Sequence, residues 1–308
     1  MFKKLKYKLE NYYYEKRYGK KIDINNFRLK DNFFSSNNLN ILYLSYYDGP
    51  YTYNNVVKVI EEMGNVFRFE MTSIPHEKDW YLKKSKINDE MLSFVKKIVS
   101  ENKVDIILCY LSGHSTTPNI LEKIKEYGIP MINESLDDER KFRSRKGKDG
   151  IYRGNKDVCK YFDITLTTSK SAIVKYLVEG GNPIYKDYCG NEKIYKKLNL
   201  DIKYDVSFIG ASYGIRSQYI NYLQANGVNV YTKGNGWGNG FASDDEMIEI
   251  FNQSKIVLGF STVGKNDDIN ILKGRDFEVP LTGSFYITGY HEELKEYFEL
   301  GKDIETYR

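Results

Sequence analysis

The chain has 308 residues, enough for one or two domains with a sizeable hydrophobic core. Its net charge of +4 is too small to indicate a nucleic-acid-binding protein from the whole-chain balance. No apolar run approaches the ~18 residues of a membrane span, and the basic start lacks the apolar core of a signal peptide. The three cysteines, Cys109, Cys159 and Cys189, form no C-x-x-C pair, so neither a zinc site nor a disulfide framework is indicated. These features predict a cytoplasmic protein.

The first 30 residues are strongly basic, with ten Lys or Arg against three Asp or Glu. If this segment is helical, Phe2, Leu5 and Leu9 fall near one face together with Tyr12 or Tyr13. Two interpretations stay open for the N-terminal segment 1–39. It is either a solvated helix docked on the following domain or a basic amphipathic segment that makes peripheral contact with an anionic membrane.

Apolar strand-like runs alternate with amphipathic helical stretches from residue 40 onward. In the first half, strands are predicted at 40–45, 66–70, 104–111, 131–133 and 163–168. Helices are predicted at 54–63, 91–102, 119–127 and from the N-cap Ser169 to Leu177, with Gly128 as a C-terminal cap. This βαβα order predicts a parallel sheet with helices on both faces.

The pattern restarts after a Lys-rich stretch at 191–203. Strands are predicted at 205–209, 228–232, 255–260 and 284–287, and helices at 216–226 and 244–252. A glycine-rich loop spans 234–240. The fold class is therefore α/β, with two Rossmann-like domains predicted at 40–200 and 201–308.

The segment 272–288 places two cations and two carboxylates just before a small-residue turn and a short strand. Arg275 and Glu278 are three positions apart and share one face of a short helix. Arginine binds phosphate oxygens in a bidentate fork, and a carboxylate can accept both hydroxyls of a ribose. Lys273, Arg275 and Glu278 are therefore candidates for binding a nucleoside diphosphate.

This segment resembles the donor-binding segment of GT-B glycosyltransferases. The resemblance is strongest to the spore-maturation-type "glycosyl transferase family 1" subgroup, whose hallmark is Arg-x-Phe-Glu before a small-residue turn, here Arg275, Phe277 and Glu278. It extends over most of the chain from about residue 40. It implies two domains facing a cleft, with the acceptor bound by the first domain and a nucleotide-diphosphate sugar by the second.

Two further expectations follow from the resemblance. GT-B enzymes generally work without a bound metal, so no metal and no cofactor besides the donor substrate are expected. GT-B chains usually end with a helix that crosses back onto the first domain, whereas this sequence stops at Arg308. A truncated chain and a naturally short one both stay open.

The resemblance also assigns residues 205–216 to the opening of the second domain. The turn containing Gly210 and Ser212 would face the donor diphosphate with free backbone N–H groups and a helix N-terminus, and Arg216 would add a charge. The alternative is an ordinary βα turn. Trp237, in the glycine-rich loop, would either stack on the nucleobase or anchor the loop.

Three residues are candidates for catalysis in the first domain. His114 lies in a turn beyond a predicted buried strand, where α/β folds place ligands; a solvated loop histidine is the alternative. Asp48 follows the first strand and is either a base toward the acceptor or part of an Asp-Gly-Pro turn. Asp137 lies in an acidic stretch that would contact acceptor hydroxyls or form a helix N-cap.

The predicted activity is transfer of a sugar from a nucleotide-diphosphate sugar to a glycan, lipid or protein acceptor, with no nucleic acid partner expected. Glu278 fits the second position of a Glu-x7-Glu pair, but the first position is Asn270, so retention or inversion of configuration stays open. One alternative is a non-catalytic carbohydrate-binding or envelope- or spore-assembly protein that retains the fold. A second, an NAD-type oxidoreductase, is disfavoured because no G-x-G-x-x-G fingerprint is present.

Overall fold

The computed structural model describes residues 2–28, 38–46, 52–70, 80–262 and 269–308. Their contacts divide the chain into two compact units, Met1–Asp187 and Tyr188–Arg308. This division lies ahead of the boundary expected near residue 200, and the domain limits 40–200 and 201–308 stay a prediction.

The first unit is built on a six-stranded parallel sheet with the order β2-β1-β3-β4-β5-β6. Its strands are β1 (Leu39–Ser45), β2 (Gly64–Glu70), β3 (Ile106–Tyr110), β4 (Met131–Ser135), β5 (Ile164–Thr167) and β6 (Pro183–Tyr185). Strands β1 to β5 lie where the sequence predicts them. The sequence does not predict β6 because three residues are too few for a periodic pattern. The strand order reverses between β1 and β3, which makes this the switch point of the sheet.

Six α-helices lie within the described residues of the first unit. They are α1 (Phe2–Tyr18), α2 (Lys58–Met63), α3 (Trp80–Glu101), α4 (Pro118–Lys125), α5 (Asp138–Lys141) and α6 (Ile173–Val178). The predicted helix at 54–63 consists of a π-helical turn, Tyr53–Val57, followed by α2. Ser169 precedes a 3-10 turn that leads into α6, but its side chain makes no cap hydrogen bond. Gly128, just beyond α4, has φ +69° as a C-terminal glycine should.

Helix α3 begins well before its predicted start at Met91. Its buried face includes Lys84 and Asn88 among apolar residues such as Trp80 and Val95. These buried polar residues interrupt the apolar spacing from which helices are recognised in a sequence. The sequence therefore revealed only the C-terminal half of the helix.

The core of the first unit lies on both faces of its sheet because side chains alternate along each strand. Leu42 and Leu44 of β1 join a cluster that contains Met91 and Ile107. Ile41 and Tyr43, which point to the other face, pack with Val57 of the π-helical turn and Ile60 of α2. Cys109 is buried in the first of these clusters, as predicted.

The N-terminal helix α1 is docked on the first unit. Tyr14 is buried, its hydroxyl donates to Glu179 Oε1 at 2.8 Å, and its ring packs edge-on against Phe142. The Lys175 ammonium group, also buried, lies 3.3 Å from Glu10 Oε1. The docked-helix interpretation is therefore the one that the contacts support.

The second unit contains a five-stranded parallel sheet with the order β11-β10-β9-β7-β8. Its strands are β7 (Tyr204–Ile209), β8 (Val230–Lys233), β9 (Ser254–Leu258), β10 (Phe285–Gly289) and β11 (Glu305–Tyr307), and its helices are α7 (Arg216–Ala225), α8 (Asp244–Asn252) and α9 (Arg275–Leu281). All but β11 correspond to predicted elements. The core contains Val206, Phe208, Ile220 and Phe260. Here the switch point lies between β7 and β9.

Candidate active site

A cavity of about 360 Å³ opens at the carboxyl edge of the first unit's sheet. Its lining comes from the segments that follow β1, β3 and β4 and from residues 141–155. The lining side chains used below are Tyr46, His114, Glu134, Asp138, Arg145 and Arg153. Because α/β folds bind ligands outside the carboxyl ends of strands at the switch point, this cavity is the candidate site of the first unit.

His114 lies in the turn 112–115 that follows β3. Its backbone N–H donates to the carbonyl of Arg153 at 2.9 Å, and its own carbonyl accepts from Trp80 Nε1 at 2.8 Å. The imidazole ring centroid lies 5.7 Å from that of Trp80 and 6.5 Å from that of Tyr46. The imidazole thus belongs to the cavity lining with a fixed backbone, and its catalytic role stays a prediction.

The turn around His114 depends on Gly113 and on helix α3. A Cβ atom at Gly113 would lie 1.9 Å from the carbonyl oxygen of Tyr152, so only glycine permits this close approach. The Lys84 ammonium group donates to the Gly113 carbonyl and to Asp149 Oδ2, both at 2.7 Å. Burial lowers the pKa of Lys84. The buried polar residue of α3 therefore positions the turn that carries His114.

Asp138 is a buried carboxylate in the cavity lining. It accepts hydrogen bonds from the hydroxyls of Ser135, Thr167 and Tyr176 at 2.8 Å each and from Asn155 Nδ2 at 3.3 Å. Burial raises the pKa of Asp138, while these donors act in the opposite direction. A carboxylate held by four donors is well suited to fixing the cavity wall.

In the acidic stretch 134–138, the predicted residue Asp137 is not among those that line the cavity. Asp137 has φ +61°, pairs with Lys141 Nζ at 2.7 Å and is not part of the cavity lining. Glu134, which is in the lining, forms an ion pair with Lys186. The neighbours Glu134 and Asp138, rather than Asp137, border the candidate site. The other predicted acid, Asp48, lies outside the described residues.

At the carboxyl edge of the second sheet, the turn after β7 is bound to the loop after β8. The Gly210 N–H donates to the Lys233 carbonyl and the Ser212 N–H to the Asn235 carbonyl, both at 2.8 Å. Trp237 Nε1 donates to the Gly210 carbonyl at 2.7 Å. The N–H groups of Gly210 and Ser212 are therefore occupied, contrary to the expectation of free donors, and Trp237 anchors its loop.

Arg216, at the start of α7, is a cation at the carboxyl edge of the second sheet. Its guanidinium group lies 4.1 Å from the ring centroid of Tyr213 and donates to the Ala211 carbonyl at 3.2 Å. Among the residues that the structure describes, no carboxylate pairs with it, and its Nε atom is buried without a hydrogen-bond partner. Burial, and to a smaller extent the charge of Arg275, lowers the pKa of Arg216.

Helix α9 brings Arg275 and Glu278 together as an ion pair. The Glu278 side chain is 2% exposed, whereas that of Arg275 is 27% exposed and lies over the ring of Phe251 at 4.9 Å. Asp276 is fully buried and accepts from Tyr286 OH at 2.8 Å and from the Lys273 N–H at 2.7 Å. Burial raises the pKa of Asp276 to about 6.

The other two candidates of this segment differ in their surroundings. Lys273 is half-buried just before α9, next to Gly274 at the N-cap. The Phe277 ring packs on Tyr297 at 5.2 Å and Phe298 at 5.8 Å and lines an apolar surface depression. The contacts of Phe277 are those of a packing residue, and its role toward a donor stays a prediction.

The C-terminal part of the chain, residues 216–308, matches the family described as "Glycosyl transferase-like". It contains Arg216, Arg275, the glycine-rich loop 234–240 and helix α9. No curated protein matches the chain in sequence. The finer assignment to the spore-maturation-type subgroup stays a prediction.

Several solved structures of glycosyltransferases are similar to the chain. An alpha-glucosyltransferase in complex with UDP and a 13-mer DNA containing a central A:G mismatch is 12% identical, with a TM-score of 0.51 over 82% of this chain and 79% of that chain. AviGT4, a glycosyltransferase involved in avilamycin A biosynthesis, is 12% identical, with a TM-score of 0.49 over 84% and 80%. HepE of Anabaena in complex with UDP is 10% identical, with a TM-score of 0.47 over 87% and 85%. The likeness to the alpha-glucosyltransferase shows that the fold is that of GT-B glycosyltransferases. The family match of residues 216–308 supports glycosyl transfer.

Sequence reasoning missed Arg145 and Arg153. The run of cations in residues 141–160 was a usable signal, because a local charge excess is visible without a structure. Glu134 and Asp138 were visible only as parts of an acidic stretch, since their places in the lining depend on where β4 ends.

Two features are absent from the described part of the chain. No helix in it is both long and apolar enough to span a membrane. Nor does that part contain a group of three or more His, Cys, Asp or Glu side chains able to hold a metal ion.

Proposed function

We propose that the chain transfers a sugar from a nucleoside diphosphate sugar to an acceptor, with the donor bound at the carboxyl edge of the second sheet. The observation that carries this proposal is the placement of Arg216 and Arg275 at the starts of α7 and α9, two helices that begin at the carboxyl edge of the same parallel sheet. Two forked guanidinium donors at one edge match the oxygens of a diphosphate.

Glu278 completes the proposed donor site. It lies on the same helix as Arg275, and a carboxylate is the group that accepts two ribose hydroxyls. Uridine is the first candidate for the base because the alpha-glucosyltransferase of the same fold was solved with UDP. The side chain of Arg275, at 27% exposed, is accessible to a ligand without unfolding of the helix.

The proposed acceptor site is the cavity of the first unit. His114 would act on the reacting groups there, and Glu134 would bind acceptor hydroxyls. The sugar donor is a substrate, and we propose no resident cofactor or metal. The further proposal is a cytoplasmic protein that contacts anionic membranes through the exposed face of α1.

The deciding experiment is calorimetric titration of UDP, GDP and ADP into the protein, followed by release of the nucleoside diphosphate from the matching sugar donors. We expect one nucleotide to bind clearly more tightly than the others, and its sugar conjugate to be consumed, if only by slow hydrolysis without acceptor. Binding without any donor consumption would favour a non-catalytic carbohydrate-binding protein. Absence of nucleotide binding would refute the donor site.

A further inference from the structure

A basic hairpin, residues 145–153, borders the cavity of the first unit. Residues 141–160 contain eight Lys or Arg and only two Asp. Lys146 and Tyr152 form an antiparallel bridge, and the Arg153 N–H donates to the Arg145 carbonyl at 3.0 Å. The backbones of Arg145 and Arg153 are therefore hydrogen-bonded across the base of the hairpin, and both residues belong to the cavity lining.

The basic hairpin is fixed to the sheet edge at several points. Asp149, near its tip, is bound by the Lys84 ammonium group at 2.7 Å. At its base, the Gly113 N–H donates to the Gly154 carbonyl at 2.9 Å, and the His114 N–H to the Arg153 carbonyl. Because of these bonds, the cations of the hairpin are held next to the turn that carries His114.

Arg145 and Arg153 differ from the other cations of this region in their partners. Lys141 pairs with Asp137, and Arg143 donates to the Tyr152 hydroxyl at 2.6 Å. Within the described ranges, neither Arg145 nor Arg153 forms an ion pair. Burial, and next the charge of Arg145, lowers the pKa of Arg153, whereas Asp149 acts in the opposite direction. Arg145 is exposed and Arg153 is half-buried, so both guanidinium groups are accessible to an anion in the cavity.

We propose that the basic hairpin binds a phosphate group carried by the acceptor, so that the acceptor is a phosphorylated saccharide rather than a neutral glycan. Two guanidinium groups provide forked donors that match phosphate oxygens, whereas a neutral sugar would leave both charges unneutralised. This inference rests on the proposed function, because it takes the cavity of the first unit as the acceptor site. The acceptor hydroxyl would then lie on the side of His114.

The test uses inorganic pyrophosphate as the probe and UDP-saturated protein, so that the proposed donor site is filled. Calorimetric titration compares the wild type with Arg145→Gln, Arg153→Gln and the control Lys160→Gln, an exposed cation outside the cavity lining. We expect each arginine variant to weaken pyrophosphate binding at least ~10-fold, in line with the loss of a charged hydrogen bond, and the control to leave it unchanged. Equal affinities of the wild type and Arg153→Gln, or no binding to the wild type, would overturn the proposal.

Two further measurements separate this inference from its rivals. Titration of UDP, GDP and ADP alone tests the donor site, and failure of all three to bind would refute the proposed function while leaving the dependence of pyrophosphate binding on Arg153 intact. A short single-stranded oligonucleotide is titrated into the same variants. If the oligonucleotide binds through Arg153 and pyrophosphate does not bind, the phosphorylated-saccharide proposal is wrong and a nucleic acid acceptor replaces it.

Discussion

Glu278 and Arg275 form one ion pair that either binds the donor or only stabilises helix α9. In a donor site, Glu278→Gln removes charged hydrogen bonds to the ribose, and we expect nucleotide affinity to fall by about 1–3 kcal/mol. Because the Glu278 side chain is 2% exposed, the substitution will also lower the melting temperature, so affinity is the informative quantity. Calorimetric titration of the nucleoside diphosphate measures it.

A matched control for this pair lies in the same unit. Asp205 pairs with Lys255 at 2.7 Å, and its side chain is 60% exposed. Asp205→Asn removes an ion pair at the amino end of β7, opposite to the carboxyl edge that carries the proposed donor residues, so it should leave nucleotide affinity unchanged. If Glu278→Gln behaves like Asp205→Asn, the pair is structural and Glu278 is not a donor ligand.

His114 is the residue we expect to act on the reacting groups. His114→Ala should lower kcat by ~100-fold or more with little change in nucleotide affinity, because acid–base groups contribute mainly in the transition state. Trp80→Phe is the control: it removes the hydrogen bond to the His114 carbonyl but keeps the imidazole. Steady-state kinetics of both variants measure the difference, and equal kcat losses in the two would reduce His114 to a structural residue.

At the scale of elements, the sequence predicted those whose apolar spacing is regular. Strands β1, β3 and β7 were located within one or two residues, because each is a short apolar run bounded by polar residues. The first half of α3 was not, since Lys84 and Asn88 are buried there to hold the turn before α4. The side chain of a buried lysine serves another element, and a pattern within one helix does not contain that information.

In the second unit, too, the sequence did not predict the hydrogen bonds of the candidate site. The sequence identified the turn at Gly210 and the loop at Trp237 as parts of one sheet edge. It did not reveal that their hydrogen bonds are made to each other. Such pairing is set by the register of β7 against β8, in which Ile209 lies opposite Lys233. The groups that remain to bind a diphosphate are then side-chain cations rather than backbone N–H groups.

Helix α1 has an exposed face opposite to its docked one. Leu9, Tyr12 and Tyr13 are more than half exposed, and exposed lysines such as Lys8 and Lys16 flank them. We expect the protein to sediment with anionic vesicles at low salt and to be released at high salt, because the attraction is mainly electrostatic. Tyr12→Asn should reduce the bound fraction, whereas Tyr127→Asn, at a partly exposed tyrosine beyond α4, should not. Binding that is absent, or that ignores salt, would contradict this role of α1.

At the scale of the whole molecule, both units repeat one topological plan. In each sheet the second strand flanks the first on one side and the third on the other, so each has its own switch point. The candidate acceptor cavity lies at the first switch point, and the turn before Arg216 at the second. The βα alternation predicts parallel sheets but not the order of their strands, so both switch points are known from the structure alone.

Each unit also carries a buried carboxyl group that links folding stability to pH. Burial raises the pKa of Glu139 to about 7 from 4.5, and its carboxyl faces Asp137 and Asp138, which act in the same direction. The Lys175 ammonium group lies against the Glu139 backbone carbonyl. Because the folded-state pKa is above the unfolded value, the folded state binds more protons between pH 4.5 and about 7. The stability contributed by this proton is complete below pH 4.5 and is lost as the pH rises through 7.

Glu139→Gln should therefore flatten the pH dependence of stability. Glutamine keeps the shape of the side chain and never ionises, so we expect the variant to gain up to about 3 kcal/mol on the wild type at pH 8 and to lose this advantage at pH 4.5. Thermal unfolding from pH 4.5 to 8 measures the effect, with Glu126→Gln at an exposed position beyond α4 as the control. Asp276 adds a second window between pH 3.8 and about 6, and it persists in the Glu139→Gln variant. Parallel pH profiles for the wild type and Glu139→Gln would mean that Glu139 does not bind its proton within this range.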